Sequence, residues 1–114
     1  MSDKTIFKRI IDGEIPVERL HDDEHCLAFR DIAPQAPVHV LVIPKREIRN
    51  IAAMTDDDRL VVGHLFAVVR DLAVRLGLSE GYRVVTNTGP QGGQSVDHLH
   101  LHLLGGRPML WPPG

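Results

Sequence analysis

Apolar and polar residues alternate strictly from His98 to Leu103, near the carboxyl end of the chain. Alternation with period two is typical of a strand with one buried face, and we predict a single strand over residues 95–104. Successive side chains of a strand point to opposite faces, so three leucines share one face and three histidines share the other. The leucine face needs a core to cover it. The histidine face is left for a ligand, for solvent or for a second layer of polar groups.

The rest of the pattern predicts two helices and four more strands. Apolar residues at three- and four-residue steps indicate the helices, with Thr55 suited to cap the longer one and Gly77 suited to end it. Short alternating or continuous apolar runs indicate the strands. The predicted fold is α+β: one domain over residues 1–114, with an antiparallel sheet of about five strands, a short N-terminal helix and one long helix on the sheet. The helices are predicted over residues 5–11 and 56–76, and the further strands over 17–20, 26–30, 38–43 and 82–88.

Composition and charge exclude several classes of function. With 43% hydrophobic and 25% charged residues, the 114-residue chain is typical of a globular domain with a single core. A net charge of −2 argues against nucleic acid as a partner, because its binders carry a basic stripe. The single cysteine excludes an intrachain disulfide and suits a reducing compartment. No apolar run approaches the ~18–20 residues of a membrane span, so we expect a cytoplasmic protein without a membrane partner.

Three interpretations of the histidine face follow from the residues alone. It is a solvated surface, a zinc site, or a site for chemistry on a phosphate. Structural zinc usually has four ligands, and Cys26 lies far from these histidines in sequence. The preceding glycine-rich loop, residues 87–95, is also typical of an ordinary hairpin connection. Beside three histidines and Ser95, however, such a loop can form an anion-binding concavity of backbone N–H groups, which favours the phosphate interpretation.

The segment from His98 to Leu104 fits the histidine triad motif, His-φ-His-φ-His-φ-φ, in which φ is apolar. Four further segments, residues 29–37, 39–45, 92–95 and 111–114, resemble the nucleotide-binding branch of the histidine triad superfamily, whose members include purine nucleoside phosphoramidases. The resemblance runs from about Thr5 to Gly114. It implies hydrolysis of the P–N bond of purine nucleoside 5′-phosphoramidates, with no cofactor and no metal.

The resemblance also implies roles for individual residues in catalysis. His100 is expected to attack the α-phosphorus and to form a nucleotidyl-histidine intermediate, with a main-chain carbonyl near His98 accepting from its other nitrogen. His39 is expected to support the triad, and Ser95 to contact the leaving amine. The expected donors to the phosphate are the side chains of Asn87, Ser95 and His102 and the N–H groups around Gly93, Gln94 and Ser95. The histidines are expected to add cationic character.

Binding of the nucleoside is expected to involve residues outside the triad. The resemblance implies that Asp31 accepts hydrogen bonds from the ribose hydroxyls, although a carboxylate there would also suit a loop cap. An apolar slot for the purine is expected from Ile32, Phe29 and Phe7. The family forms a two-fold homodimer, so the sheet is expected to continue from one protomer into the other. Trp111 lies in a tail that reaches toward the partner's site in the family, and we expect this ring to dock.

One position departs from the family pattern, and two other functions stay open. Asp97 stands where relatives often have an aromatic residue, and its negative charge is expected to raise histidine pKa values nearby. The first alternative function is a purine-nucleotide-binding interaction module with incidental hydrolysis. The second is a dinucleoside polyphosphate hydrolase, which the ending Gly105-Gly106 with residues 111–114 disfavours.

Overall fold

The computed structural model describes residues 3–114, so residues 1 and 2 of the predicted domain lie outside it. In chain order the elements are α1 (Ile6–Ile11), β1 (Arg19–Asp22), β2 (Cys26–Arg30), β3 (Val38–Pro44), two 3-10 turns (Ile51–Ala53 and Asp56–Asp58), α2 (Arg59–Arg75), β4 (Tyr82–Val85) and β5 (Leu101–Gly105). The five strands form one antiparallel sheet in the order β1-β2-β3-β5-β4. This arrangement, with a short and a long helix, confirms the predicted α+β fold.

Both helices begin at side-chain caps that the sequence supplies. The Thr5 hydroxyl accepts from the N–H of Lys8 at 3.1 Å, at the start of α1. Before α2, the N–H of Thr55 donates to the Asp58 carboxylate at 2.8 Å in a capping box. The box caps a 3-10 turn and not the α-helix itself. The predicted helix over 56–76 therefore consists of this turn, Asp56–Asp58, followed by α2, which ends at Arg75.

The sheet is buried on both faces because a helix covers each of them. Along the central strand β3, Val40 and Val42 pack in the core beneath α2. The alternate residues Leu41 and Ile43 pack on the opposite face with Phe7 of α1. A continuous apolar run is what a strand covered on both sides requires. The side of α1 is the side on which the functional residues lie.

The predicted strand over residues 95–104 is wrong in its first half. The chain bends at residues 96–98, and β5 begins only at Leu101. The N–H of Leu99 donates to the Ile48 carbonyl at 2.7 Å, outside the sheet ladder. Leu99, Leu101 and Leu103 are nevertheless buried together under α2, as the alternation predicted.

The other strand bounds differ by smaller amounts. β2 has the predicted limits, and β3 extends one residue further, to Pro44. β1 begins at Arg19, two residues after its predicted start, and β4 ends at Val85, three residues before its predicted end. β4 and β5 are antiparallel neighbours, as the loop between them predicts. Within residues 3–114, no helix has the length and apolar character needed to cross a membrane.

Candidate active site

The register of the sheet brings His39 of β3 close to His102 of β5, and His100 lies directly before β5. Leu41 of β3 pairs with His102 of β5, and paired residues on adjacent strands share a face. His102 and His39 therefore lie on the α1 side of the sheet, with ring centroids 5.2 Å apart. The ring of His100 follows at 4.9 Å from His102.

His100 has one ring nitrogen held by the backbone. Its Nδ1 lies 2.7 Å from the carbonyl oxygen of His98, so Nδ1–H donates and the neutral ring keeps its lone pair on Nε2. The carbonyl of His100 accepts from the Thr86 hydroxyl at 2.9 Å. Phe7 of α1 packs edge-on against the imidazole, with centroids 4.9 Å apart, and only 4% of His100 is exposed. These contacts fix both the tautomer and the orientation of the ring.

The His98 side chain hydrogen-bonds to the backbone and is not available to a ligand. Its Nε2 donates to the carbonyl oxygen of Pro44 at 2.8 Å, and the residue is 2% exposed. Burial lowers the pKa of His98, and the bond to Pro44 offsets this only in part. The expectation that the histidine face is open therefore fails for His98, because Phe7 and the end of β3 cover it. Its contribution to the site is the carbonyl that holds His100.

A directional chain of hydrogen bonds runs from the backbone through His39 to His102. The N–H of Gln35 donates to His39 Nδ1 at 3.1 Å, which places the His39 proton on Nε2. That proton is donated to His102 Nδ1 at 2.9 Å. His102 therefore carries its own proton on Nε2. The chain ends in an N–H donor beside His100.

The pKa values of His39, His98 and His102 are all lowered, so these three imidazoles are neutral, and this corrects two expectations. Burial, together with the His100 and His39 rings, lowers the pKa of His102 to about 4. Burial also lowers the pKa of His39, against the opposing effect of Asp31. The expected cationic character is therefore wrong for His39, His98 and His102. Asp97 does not raise these pKa values, because its exposed carboxylate points to Arg49 Nη2 at 3.3 Å.

Asp31, His39 and His102 form one of two places where the described residues could hold a metal ion. One ligand atom from each lies within 4.8 Å of the others. The Gln35 N–H argues against an ion here. Because it donates to His39 Nδ1, the proton of the neutral ring sits on Nε2, the atom that would have to bind the metal. The geometry fits a hydrogen-bond relay better than a metal centre.

The glycine-rich loop does not form the predicted cradle of free amides. The N–H of Gly93 donates to the Pro90 carbonyl and that of Gln94 to the Gly89 carbonyl, both at 3.1 Å. The loop is closed on itself, and a Cβ at Gly92 would overlap the carbonyl oxygen of Thr88. Gly93 and Gln94 are therefore wrong as amide donors to a phosphate.

Two side chains predicted to bind substrate instead brace this loop. The Gln94 amide donates to the carbonyls of Arg49 and Val96 and accepts from Asn50 and from the N–H of Gly89, at distances from 2.8 to 3.0 Å. Asn87 Nδ2 donates to the Gly92 carbonyl at 2.6 Å. Ser95, by contrast, is exposed, and no group of residues 3–114 bonds its hydroxyl or its N–H.

The residues expected to bind the nucleoside differ in how far they are exposed to solvent. Asp31 is half-buried, with one oxygen capping the loop by accepting from Ala33 N at 2.8 Å and the other 3.5 Å from His39 Nε2. Phe7 and Phe29 pack on each other in the core, with centroids 5.8 Å apart. Only Ile32, 96% exposed, presents its whole side chain to solvent.

The expectation that Trp111 docks is wrong within this chain. Trp111 is 83% exposed, although Arg83 Nη2 holds the neighbouring carbonyl of Leu110 at 2.8 Å. The tail follows the outer edge of the sheet, beside β4.

Several groups at the site carry no signal in the sequence. The Pro44 carbonyl and the Gln35 N–H each fix one imidazole, and the Thr86 hydroxyl holds the main-chain carbonyl of His100. Two of them are backbone groups, which residue identity cannot reveal. Thr86 follows β4 directly, where the register of β4 and β5 brings it opposite Leu101 and within reach of the His100 carbonyl.

Comparison with known proteins places the whole arrangement in a family. A model of the HIT domain matches residues 12–109. An uncharacterized HIT-like protein of Synechococcus elongatus is 57% identical over the full length of both chains. The crystal structure of a HIT family hydrolase from Legionella pneumophila has a TM-score of 0.95 at 48% identity, covering 97% of this chain and 100% of that one. A histidine triad nucleotide-binding protein from Candida albicans has a TM-score of 0.81 at 35% identity, covering 96% and 83%. This chain belongs to the HIT domain family.

Proposed function

We propose that this chain is a nucleotide hydrolase that cleaves the P–N bond of purine nucleoside 5′-phosphoramidates through a nucleotidyl-His100 intermediate. The observation that carries the proposal is the hydrogen bond from His100 Nδ1 to the His98 carbonyl. It leaves a neutral imidazole with its lone pair on Nε2, which is the form that attacks phosphorus. Relatives named as a HIT family hydrolase and as a nucleotide-binding protein support the same class.

In the first step the Nε2 lone pair of His100 forms a bond to the α-phosphorus, and the P–N bond of the substrate breaks. The electron pair of that bond leaves with nitrogen, which takes up a proton and departs as an amine. Ser95 is the proposed relay for this proton, because its hydroxyl is exposed beside the triad segment and has no partner in residues 3–114. The phosphate now sits on His100 as a nucleotidyl group.

In the second step water attacks phosphorus, the bond to Nε2 breaks, and the nucleoside monophosphate leaves. The water's proton is lost to solvent, and His100 returns to its neutral form. His102 Nε2–H is the proposed donor to a non-bridging oxygen in both transition states. Its orientation is set by His39, so the donor needs no rearrangement when charge develops.

Recognition of the nucleoside is proposed to rest on Asp31 and Ile32. The Asp31 carboxylate can accept from ribose hydroxyls while keeping its bond to Ala33. Ile32 offers an apolar surface to a base. We propose a purine, on the strength of the family resemblance.

We further propose that the protein acts in the cytoplasm as a two-fold homodimer. The long helix α2 leaves Phe66 48% exposed, and β4 forms one edge of the sheet. The exposed ring of Trp111 lies in the tail, next to the Leu110 carbonyl that Arg83 of β4 holds. A second copy paired along β4 would allow the sheet to continue across the two-fold axis.

The experiment is a comparison of substrates under identical conditions. Turnover of adenosine and guanosine 5′-phosphoramidates is measured beside dinucleoside polyphosphates, with and without a chelator. The proposal predicts faster turnover of the phosphoramidates and no effect of the chelator on their rate. Preferred hydrolysis of dinucleoside polyphosphates would contradict it. So would tight nucleotide binding without turnover, which indicates an interaction module.

A further inference from the structure

A second cluster of chemically active side chains lies away from the triad, at the turn between β1 and β2. It consists of His21, Asp23, Cys26 and His64, the last contributed by α2. One ligand atom from each residue, two imidazole nitrogens, a carboxylate oxygen and a sulfur, lies within 4.8 Å of the others. These four residues are called the turn cluster below. None of them takes part in the proposed reaction.

The Asp23 carboxylate is the centre of the turn cluster. Its Oδ2 lies 2.6 Å from His21 Nε2 and 2.6 Å from His64 Nε2, and 3.6 Å from the sulfur of Cys26. Its Oδ1 accepts from the N–H groups of His25 and Cys26 at 2.7 and 2.9 Å. One oxygen is thus anchored by the backbone, while the other faces three groups that can each bind a metal. An anchored carboxylate of this kind is a typical support for metal ligands.

A route from solvent reaches the turn cluster. A cleft of about 450 Å³ opens beside it and is lined in part by His64, His25 and Lys45. His21, Asp23 and His64 are each only partly buried, whereas Cys26 is buried at the inner end. Three of the four ligands are therefore partly accessible to an ion, and the sulfur lies at the inner end of the cluster.

We propose that His21, Asp23, Cys26 and His64 bind a single zinc ion or another transition-metal ion of similar preference. Two imidazoles, one thiolate and one carboxylate are all ligand types that zinc accepts. A tetrahedral ion with the usual bond lengths holds its ligand atoms about 3.3–3.7 Å apart. The ligand atoms now lie between 2.6 Å apart and a limit of 4.8 Å, so side-chain shifts of about 1 Å bring them to these values around an ion.

Metal binding releases one proton from the protein, that of the Cys26 thiol, and moves two others within the imidazole rings. Burial, with the charge of Asp23, raises the pKa of the Cys26 thiol to about 12, so the thiol proton leaves to solvent as the metal–sulfur bond forms. In each neutral imidazole the proton moves from Nε2 to Nδ1, and the Nε2 lone pair binds the ion. Asp23 keeps the bonds of Oδ1 to the backbone and turns Oδ2 from the imidazoles to the metal.

The set of four protein ligands indicates a structural role. Catalytic zinc sites usually keep one position for water, whereas this set supplies all four ligands itself. The ion would link β1 and β2 to α2, because His64 lies 41 residues beyond Asp23. Bound metal is therefore expected to raise the thermal stability without changing the reaction at His100.

The test is titration of the metal-free protein with Co²⁺, a spectroscopic substitute for Zn²⁺. Because Cys26 is the only cysteine of the chain, a thiolate-to-cobalt charge-transfer band identifies this site and no other. We expect one Co²⁺ per chain with that band, its displacement by Zn²⁺, and a higher Tm with either metal. Absence of the band at saturating Co²⁺ would overturn the proposal.

Variants separate the site from chance binding. Cys26→Ser should abolish the band, and His21→Ala and His64→Ala should each weaken Co²⁺ binding at least about tenfold. His25→Asn is the matched control, since His25 lies beside His64 outside the set, and it should bind like the wild type. If Cys26→Ser fails to fold, the two histidine variants decide. An unchanged band and affinity in both would contradict the proposal.

Discussion

Two regions of this protein each bring imidazoles to a single carboxylate, yet they are arranged for different chemistry. At the triad, Asp31 stands 3.5 Å from His39, and the imidazoles bond to each other and to the backbone. At the turn cluster, Asp23 accepts directly from His21 and His64, both at 2.6 Å. The hydrogen-bond partner of each ring, rather than the residue types present, therefore distinguishes the proposed nucleophile from the proposed metal ligands.

The decisive partners at the triad are backbone groups. The Gln35 N–H sets the protons of His39 and His102, and the His98 carbonyl sets the proton of His100. Neither partner changes its protonation state, so the tautomers stay fixed. At the turn cluster the shared partner is a carboxylate that accepts from both imidazoles, and it can exchange these two hydrogen bonds for a bond to a metal ion.

The largest expected effect is on turnover. Replacing the nucleophile, as in His100→Gly, should lower kcat for phosphoramidates at least about a thousandfold while nucleotide affinity survives. The matched change at the other region, His64→Ala, should leave kcat within about twofold. Steady-state kinetics and nucleotide binding of both variants check this. Equal losses in the two variants would remove the functional distinction between the regions.

Acid should destabilise the triad region in a defined range of pH. His102 has a folded-state pKa of about 4, below the value of about 6.5 in unfolded chains. The unfolded state therefore binds more protons between these values, and stability is complete above pH 6.5 and is lost as the pH falls toward 4. The expected loss is on the order of 2 kcal/mol, allowing for partial exposure of the ring.

The measurement is urea unfolding at pH 7.5 and at pH 4.5. His102→Gln should reduce the difference between the two pH values, because it removes the ring with the most strongly lowered pKa. His25→Asn, an exposed substitution, should keep the wild-type difference. A wild type equally stable at both pH values would contradict neutral, buried imidazoles at the triad.

A smaller effect is expected from the relay behind the donor. His39→Ala removes the group that orients His102 and should lower kcat about tenfold with little change in KM. His39→Gln should recover part of the loss, because its amide can still donate to His102 Nδ1. Activity unchanged in His39→Ala would show that the relay has no role. His21→Ala, in the turn cluster, is the control and should be fully active.

The smallest effect is expected at Asp97, where the chain departs from the family pattern. Its carboxylate is exposed and pairs with Arg49 on the surface, an interaction worth about 0–1 kcal/mol. Asp97→Asn should therefore change kcat by less than about twofold and leave its pH profile in place. A profile displaced by the substitution would show that this charge reaches the histidines.

The sequence predicted the sheet well because hydrophobic alternation is a local signal that burial enforces. The bounds of β2 and the sharing of faces by Leu99, Leu101 and Leu103 follow directly from it. The same signal gave a wrong start for β5. Tertiary hydrogen bonds, from Leu99 N to Ile48 and from the His98 ring to Pro44, take the chain out of the ladder before Leu101.

The proximity of the histidines was predictable, but their hydrogen bonds were not. The family resemblance implied that His39 lies beside the triad, and its ring does contact His102, yet the loop amides of Gly93 and Gln94 close the loop itself. Such pairing depends on turn geometry, which composition does not determine. The turn cluster was missed for a different reason. His64 and Asp23 meet only because α2 packs against the start of the sheet, and no periodicity links them.

The most direct test of the central claim is identification of the covalent intermediate. The wild-type protein is mixed with adenosine 5′-phosphoramidate, quenched rapidly under alkaline conditions that preserve phosphorus–nitrogen bonds to histidine, and its peptides are sequenced by mass spectrometry. The account predicts an added adenylyl group on His100, formed and lost at rates that match turnover. An adenylyl group on His98, His102 or Ser95, or turnover without any adduct, would contradict it.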